Sequence, residues 1–111
     1  MARRDYLGSF ELMVLLAVMQ LDDDAYGVPI ARTIEHNTGW PVALGSVYAA
    51  LDRLQERGLL TSTLGDPTPE RGGRAKRFFR VSTKGTQAAE ESRRALTALW
   101  QNLPEPEGLS A

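Results

Sequence analysis

From Ser9 to Leu21 the chain reads SFELMVLLAVMQL, a stretch whose apolar residues leave almost no polar side. Placed on a helix, Phe10, Leu12, Met13, Val14, Leu15, Leu16, Val18 and Met19 circle the whole cylinder. A helix that is apolar all round has to be covered all round. With 111 residues the chain makes one domain and not comfortably two, so its own elements can hardly enclose its first helix. A second copy of the chain is the expected cover. The run Leu12 to Met19 is far shorter than the roughly 20 residues a membrane span needs, and the start MARRDYLGS has no apolar signal core. The expectation is a soluble, cytoplasmic protein with no membrane partner.

Further helices follow from local signals. Asp22, Asp23 and Asp24 offer capping carboxylates to a second helix over about Ala25 to Asn37, with Val28, Ala31 and Ile34 inward and Gly39 as its stop. Pro29 falls in or near its first turn, where the missing N–H costs little. Trp40-Pro41 breaks the chain, and Val42 to Leu44 is read as a short extended piece. A third helix is predicted from about Gly45 or Ser46 to Arg57, its inner face set by Val47, Leu51 and Leu54. Leu59 to Leu64 and Ala75 to Val81 read as strands joined by GDPTPERGGR, which is loop chemistry. A last helix spans Ser82 or Thr83 to about Leu103. Its Ala89, Ser92, Leu96, Leu99 and Leu103 form the narrow seam of a helix pair. The fold class is therefore mainly α with a small β-hairpin: a winged helix-turn-helix plus a C-terminal helix.

The side chains leave little room for catalysis. There is no cysteine, and His36 is the single histidine, so neither a thiol nucleophile nor an ordinary zinc site can be built. No metal, no cofactor and no enzymatic activity is expected. Glu90 and Glu91 are neighbours on a solvated helix face and do not converge.

Charge points elsewhere. The chain carries 13 basic and 14 acidic residues, a net −1. Yet Arg71 to Lys84 holds six of the 13 basic residues (Arg71, Arg74, Lys76, Arg77, Arg80 and Lys84) and no acid. The other seven basic residues stand against all 14 acids. Because salt screens charges beyond about 8–10 Å, a partner meets this basic ribbon and not the average. On the third helix, opposite Val47, Leu51 and Leu54, lie Ser46, Ala49, Arg53 and Arg57. Short residues there let a helix sink into the DNA major groove, and Arg53 can reach a guanine edge or a phosphate. The bland alternative pairs Arg53 with Asp52 or Glu56 in solvent. Tyr48 either bonds a phosphate or packs with a wet tip. Arg71, Arg74, Lys76 and Arg77 fit backbone contacts, or merely guard a hairpin rim. Arg3 and Arg4 are candidates for a weaker arm.

The segment GSVYAALDRLQERGLL resembles the recognition-helix signature of PadR-like transcriptional regulators, GGRAKRFFRVSTKG resembles their wing and second strand, and AYGVPIARTI their second helix. The three occur in order over about Leu7 to Leu103. Ala49 departs from the pattern, since many relatives have proline after the tyrosine. The resemblance implies a dimeric, usually repressing regulator of palindromic operators, of the short subclass with a single C-terminal helix.

The expected organisation is an N-terminal arm (1–8) and a winged helix-turn-helix (9–82), with recognition helix about 46–57 and wing about 65–76. A dimerisation helix (83–103) and a disordered tail (104–111) follow. Phe10, Met13, Leu96, Leu99, Trp100 and Leu103 are the candidate dimer contacts. The resemblance also implies a small aromatic or apolar effector between subunits, for which Trp100, Phe10 and Met13 are candidates; plain interface packing explains Trp100 more simply. The partners expected are double-stranded DNA and a second copy of the chain. The competing reading is a winged-helix module that meets an acidic protein and never touches DNA.

Overall fold

The computed structural model describes residues 7–65 and 76–104. Four helices and one hairpin follow in the order α1 (Ser9–Leu21), α2 (Gly27–Thr38), α3 (Leu44–Glu56), β1 (Leu60–Leu64), β2 (Arg77–Val81) and α4 (Thr83–Gln101). The strands pair antiparallel, from Leu60 opposite Val81 to Leu64 opposite Arg77. This is the winged helix-turn-helix with an added C-terminal helix that the patterning predicts. Among the described residues no helix is long and apolar enough to cross a membrane.

The core lies where α1, α2 and α3 meet the inner side of the hairpin. Val14, Leu15, Ile30, Val47, Leu51 and Leu54 are fully enclosed, with Leu59, Leu60 and Phe79 nearly so. On α3 the buried positions are the predicted Val47, Leu51 and Leu54, joined by Ala50. The Phe79 N–H donates to the Ala25 carbonyl at 2.8 Å, which ties β2 to the start of α2. A glycine completes that corner: a Cβ on Gly27 would collide with the Tyr48 hydroxyl. The side chain of Tyr48 from α3 thus lies on bare backbone of α2.

Three local expectations are corrected. Asp22–Asp24 do not cap α2; they form their own 3-10 turn, and Tyr26 is the residue before α2, with no side-chain cap bond. The turn is needed because α1 and α2 cross here, and Asp22 takes a positive φ of 53° to start it. On α2 the inward residues are Gly27, Ile30 and Ile34, while Val28 is exposed. The inner face thus lies one residue before the predicted Val28 and Ala31 and shares Ile34 with the prediction. Leu44 belongs to α3 and not to the extended piece before it. Gly39, at φ 77°, closes α2 as expected, and Ser82 caps α4 by accepting from the Gly85 N–H at 3.0 Å.

The all-round apolar helix α1 is covered on one side only. Val14, Leu15, Ala17 and Val18 are buried, whereas Leu16 and Met19 are each 43% exposed. Leu12, Leu16 and Met19 line a groove with Ala89, Leu96 and Thr97 of α4. The C-terminal end is less covered: Leu96, Leu99 and Trp100 of α4, and Leu103 just past its end, are all more than half exposed.

Candidate nucleic-acid interface

The outer side of α3 is built by elimination. Once Val47, Ala50, Leu51 and Leu54 face the core, Ser46, Ala49 and Arg53 must face out, and all three are exposed. Arg57, one turn further, is half-buried. The helix therefore shows small side chains toward its N-terminus and cationic ones toward its C-terminus. That shape lets the N-terminal half approach a groove floor while the arginines reach bases or backbone.

Arg53 pairs with neither Asp52 nor Glu56. Its Nε donates to Oε2 of Glu11 on α1 at 2.8 Å, and an Nη of Arg57 reaches Oε1 of the same carboxylate at 3.4 Å. The Gly8 N–H donates to that Oε1 as well, at 3.3 Å. The hydrogen bond from Arg53 is the main reason the Glu11 carboxyl sits below its ordinary pKa, with the Gly8 bond and both positive charges helping and burial opposing. Sequence reasoning missed Glu11. The available signal was that it is the one charged residue in a helix otherwise apolar all round.

Tyr48 is half-exposed, but its hydroxyl end lies over Gly27 of α2. In the wing, Arg71 and Arg74 lie outside the described residues, as do Arg3 and Arg4 of the arm. Lys76 rests its ammonium 4.0 Å from the centre of the Tyr26 ring, and that ring meets Phe78 edge-on at 5.4 Å. Arg77 points inward along the hairpin. It donates to Gln55 Oε1 at 2.6 Å, to Ser62 Oγ at 3.2 Å and to Asp52 Oδ1 at 3.5 Å. Two of those acceptors belong to α3, so Arg77 fixes the hairpin against the helix whose outer face carries Arg53.

The remaining candidates separate into two places. Phe10 and Met13 line a groove with Trp40, Val42 and Ser46 near the start of α3. Trp100, 68% exposed, stands on the distal half of α4 with Leu96 and Leu99; Leu103 follows the helix, which ends at Gln101 and not at Leu103. Trp40 is an exposed rim residue, at 60%. Among the described residues no group of three or more His, Asp or Glu is placed to hold a metal.

A helix of this shape, backed by a second helix and flanked by a two-stranded wing, defines a winged-helix DNA-binding protein. Comparison with known proteins narrows the class. The profile of the transcriptional regulator PadR-like family matches residues 15–91. Transcriptional regulator Rv3488 of Mycobacterium tuberculosis is 34% identical over 80 residues, covering 70% of this chain and 68% of that protein. The crystal structure of a PadR family transcription regulator from Clostridium difficile superposes with a TM-score of 0.70 at 17% identity, over 85% of this chain and 93% of its own. A PadR-like transcriptional regulator from Bacillus cereus does so with 0.68 at 23% identity, over 88% and 93%. The solved structures share the fold; the family profile and the mycobacterial relative go further. The chain belongs to the PadR-like family of transcriptional regulators, and it is a regulator, not an enzyme.

Proposed function

We propose that this regulator is a homodimeric repressor that binds a palindromic operator with one α3 helix in each of two major-groove half-sites. The observation that carries the proposal is the outer strip of α3, where exposed Ser46, Ala49 and Arg53 back directly onto fully buried Val47, Leu51 and Leu54. A buried inner face holds the helix rigidly, so its outer face can be presented to a fixed target. Arg71, Arg74 and Lys76 of the wing would meet the flanking phosphates, with Arg77 holding the wing root. A two-fold dimer would read half-sites about 34–36 Å apart, or a multiple of that.

Dimerisation is assigned to residues 83–103, the DNA-binding unit to 9–82, and an arm and a tail to 1–8 and 104–111. Supporting this are the half-covered α1 and the exposed Leu96, Leu99 and Trp100 on α4, with Leu103 just past its end. In a dimer, two copies of Trp100 could hold a flat apolar effector between the subunits. Phe10 and Met13 offer a second place for it, beside Trp40.

The test is fluorescence anisotropy against the duplex upstream of the protein's own gene, with a scrambled duplex beside it, at two salt concentrations. Tight binding to the first alone, weakening as salt rises, is the expected result. Equal binding to both, followed by equal binding to duplexes enriched from a random pool, would overturn operator recognition and favour an acidic protein partner.

A further inference from the structure

We infer that Glu11 is a positioning residue for DNA readout: from α1 it holds the Arg53 guanidinium so that its outer edge faces the groove. The inference rests on the proposed reading of α3 as the groove-facing helix. It starts from how the guanidinium is held. Glu11 takes Arg53 by Nε alone, at 2.8 Å. Among the described residues nothing accepts from the two Nη atoms of Arg53, and its side chain is 54% exposed. Those two atoms form the edge that matches O6 and N7 of guanine, so the tether leaves the reading edge open. The carboxylate itself is firmly seated: its side chain is only 15% exposed, and both oxygens are used.

The arrangement has two effects of opposite sign. Holding Arg53 in place removes rotamer freedom before binding, which favours a site that offers the right base edge. Placing a carboxylate beside Arg53 and Arg57 cancels half of their charge, which disfavours phosphate in any duplex. Both effects raise the ratio of specific to non-specific binding. Removing the charge should therefore lower discrimination without weakening attachment to random DNA. A simple loss of folded protein would weaken both together.

The experiment uses duplexes enriched from a random-sequence pool by the wild-type full chain, with a scrambled duplex as reference. Affinity ratios are compared for wild type, Glu11→Gln, Arg53→Ala and the double variant. Glutamine keeps the length of the side chain and an oxygen for the Gly8 N–H. Glu11→Gln should lower the ratio about five- to tenfold, within the range a bidentate contact provides, and bind the scrambled duplex as well as wild type or better. In the Arg53→Ala background its effect on the ratio should shrink to the smaller part that acts through the charge of Arg57. An undiminished ratio, or effects that multiply in the double variant, would overturn the role. If Glu11→Gln does not fold, Glu11→Asp replaces it, since the shorter chain withdraws the carboxylate from Nε and should also lower the ratio. Arg53→Ala with an unchanged ratio would sink the inference while DNA binding stands. Wild type that enriches no sequence at all would remove the operator reading and this inference with it.

Discussion

The backbone of Gly85 lies directly against the carbonyl oxygen of Leu59, where α4 begins beside the end of the α3 turn. A Cβ at Gly85 would run into that oxygen and stand 2.8 Å from Cγ1 of Val81. Alanine normally favours a helix over glycine by about 1 kcal/mol, but a carbonyl fixed in a strand junction cannot yield. Gly85→Ala should therefore destabilise the fold by about 1–3 kcal/mol, measured by urea denaturation. Gly27→Ala meets only the outer end of the half-exposed Tyr48 ring, which can swing away, so it should cost less. The reverse order would mean that α4 sits further from Leu59.

Glu11 should make stability depend on acid. Its folded pKa is lowered, first by the Arg53 hydrogen bond, so the folded state prefers the ionised carboxyl more than the unfolded chain does. That stabilisation is complete above the unfolded value, about 4.3 for glutamate, and is lost as pH falls through the folded value. Wild type should exceed Glu11→Gln in urea midpoint at neutral pH, and the gap should close below about pH 4. A gap that stays constant down to the acid limit would show that the Glu11 charge is not what differs.

Much of this was legible in the sequence, and the exceptions have a common cause. The inner face of α3, the Ser82 cap and the Gly39 stop depend on residues within a few positions of one another, and periodicity or cap chemistry reveals them. The exposed side of α1 was legible too, because Leu16 and Met19 are surplus to any core this short chain can build. What the sequence did not reveal depended on distant partners. The Asp22–Asp24 run looks like a cap until the crossing of α1 and α2 makes it a turn. Arg53 has acids at neighbouring positions, yet its partner Glu11 lies 42 residues away. Arg77 reads as one more cation of a basic ribbon, while its acceptors Asp52 and Gln55 belong to another element.

Arg77 should consequently behave unlike the rest of that ribbon. Its hydrogen bonds to Gln55 and Ser62 are partly exposed and its pairing with Asp52 more so, so Arg77→Ala should cost only about 0.5–1.5 kcal/mol of stability. The slope of log affinity against log salt should change by less than the roughly 0.9 expected when one phosphate is no longer neutralised. Urea denaturation and salt-dependent anisotropy on one preparation measure both. A slope change of that full size with stability untouched would make Arg77 a phosphate ligand and not a brace.

The covering of α1 and α4 is open to the most direct test. Leu96 and Leu99 are 58% and 70% exposed, so neither contributes much to the core of a single chain. Replacing both with aspartate should leave the fold intact by circular dichroism and thermal melting. If the distal half of α4 pairs with a second copy, two buried carboxylates per chain would face each other across the seam, and the desolvation and repulsion would break it. Light scattering should then give the mass of one chain where wild type gives two. Operator affinity should fall steeply as well, because a monomer engages one half-site and loses the effective concentration that the second provides. A dimer that persists in the double variant would move the interface off α4. The groove of Phe10, Met13 and Trp40 near the start of α3 would then be the next surface to test, with Met13→Asp as the variant.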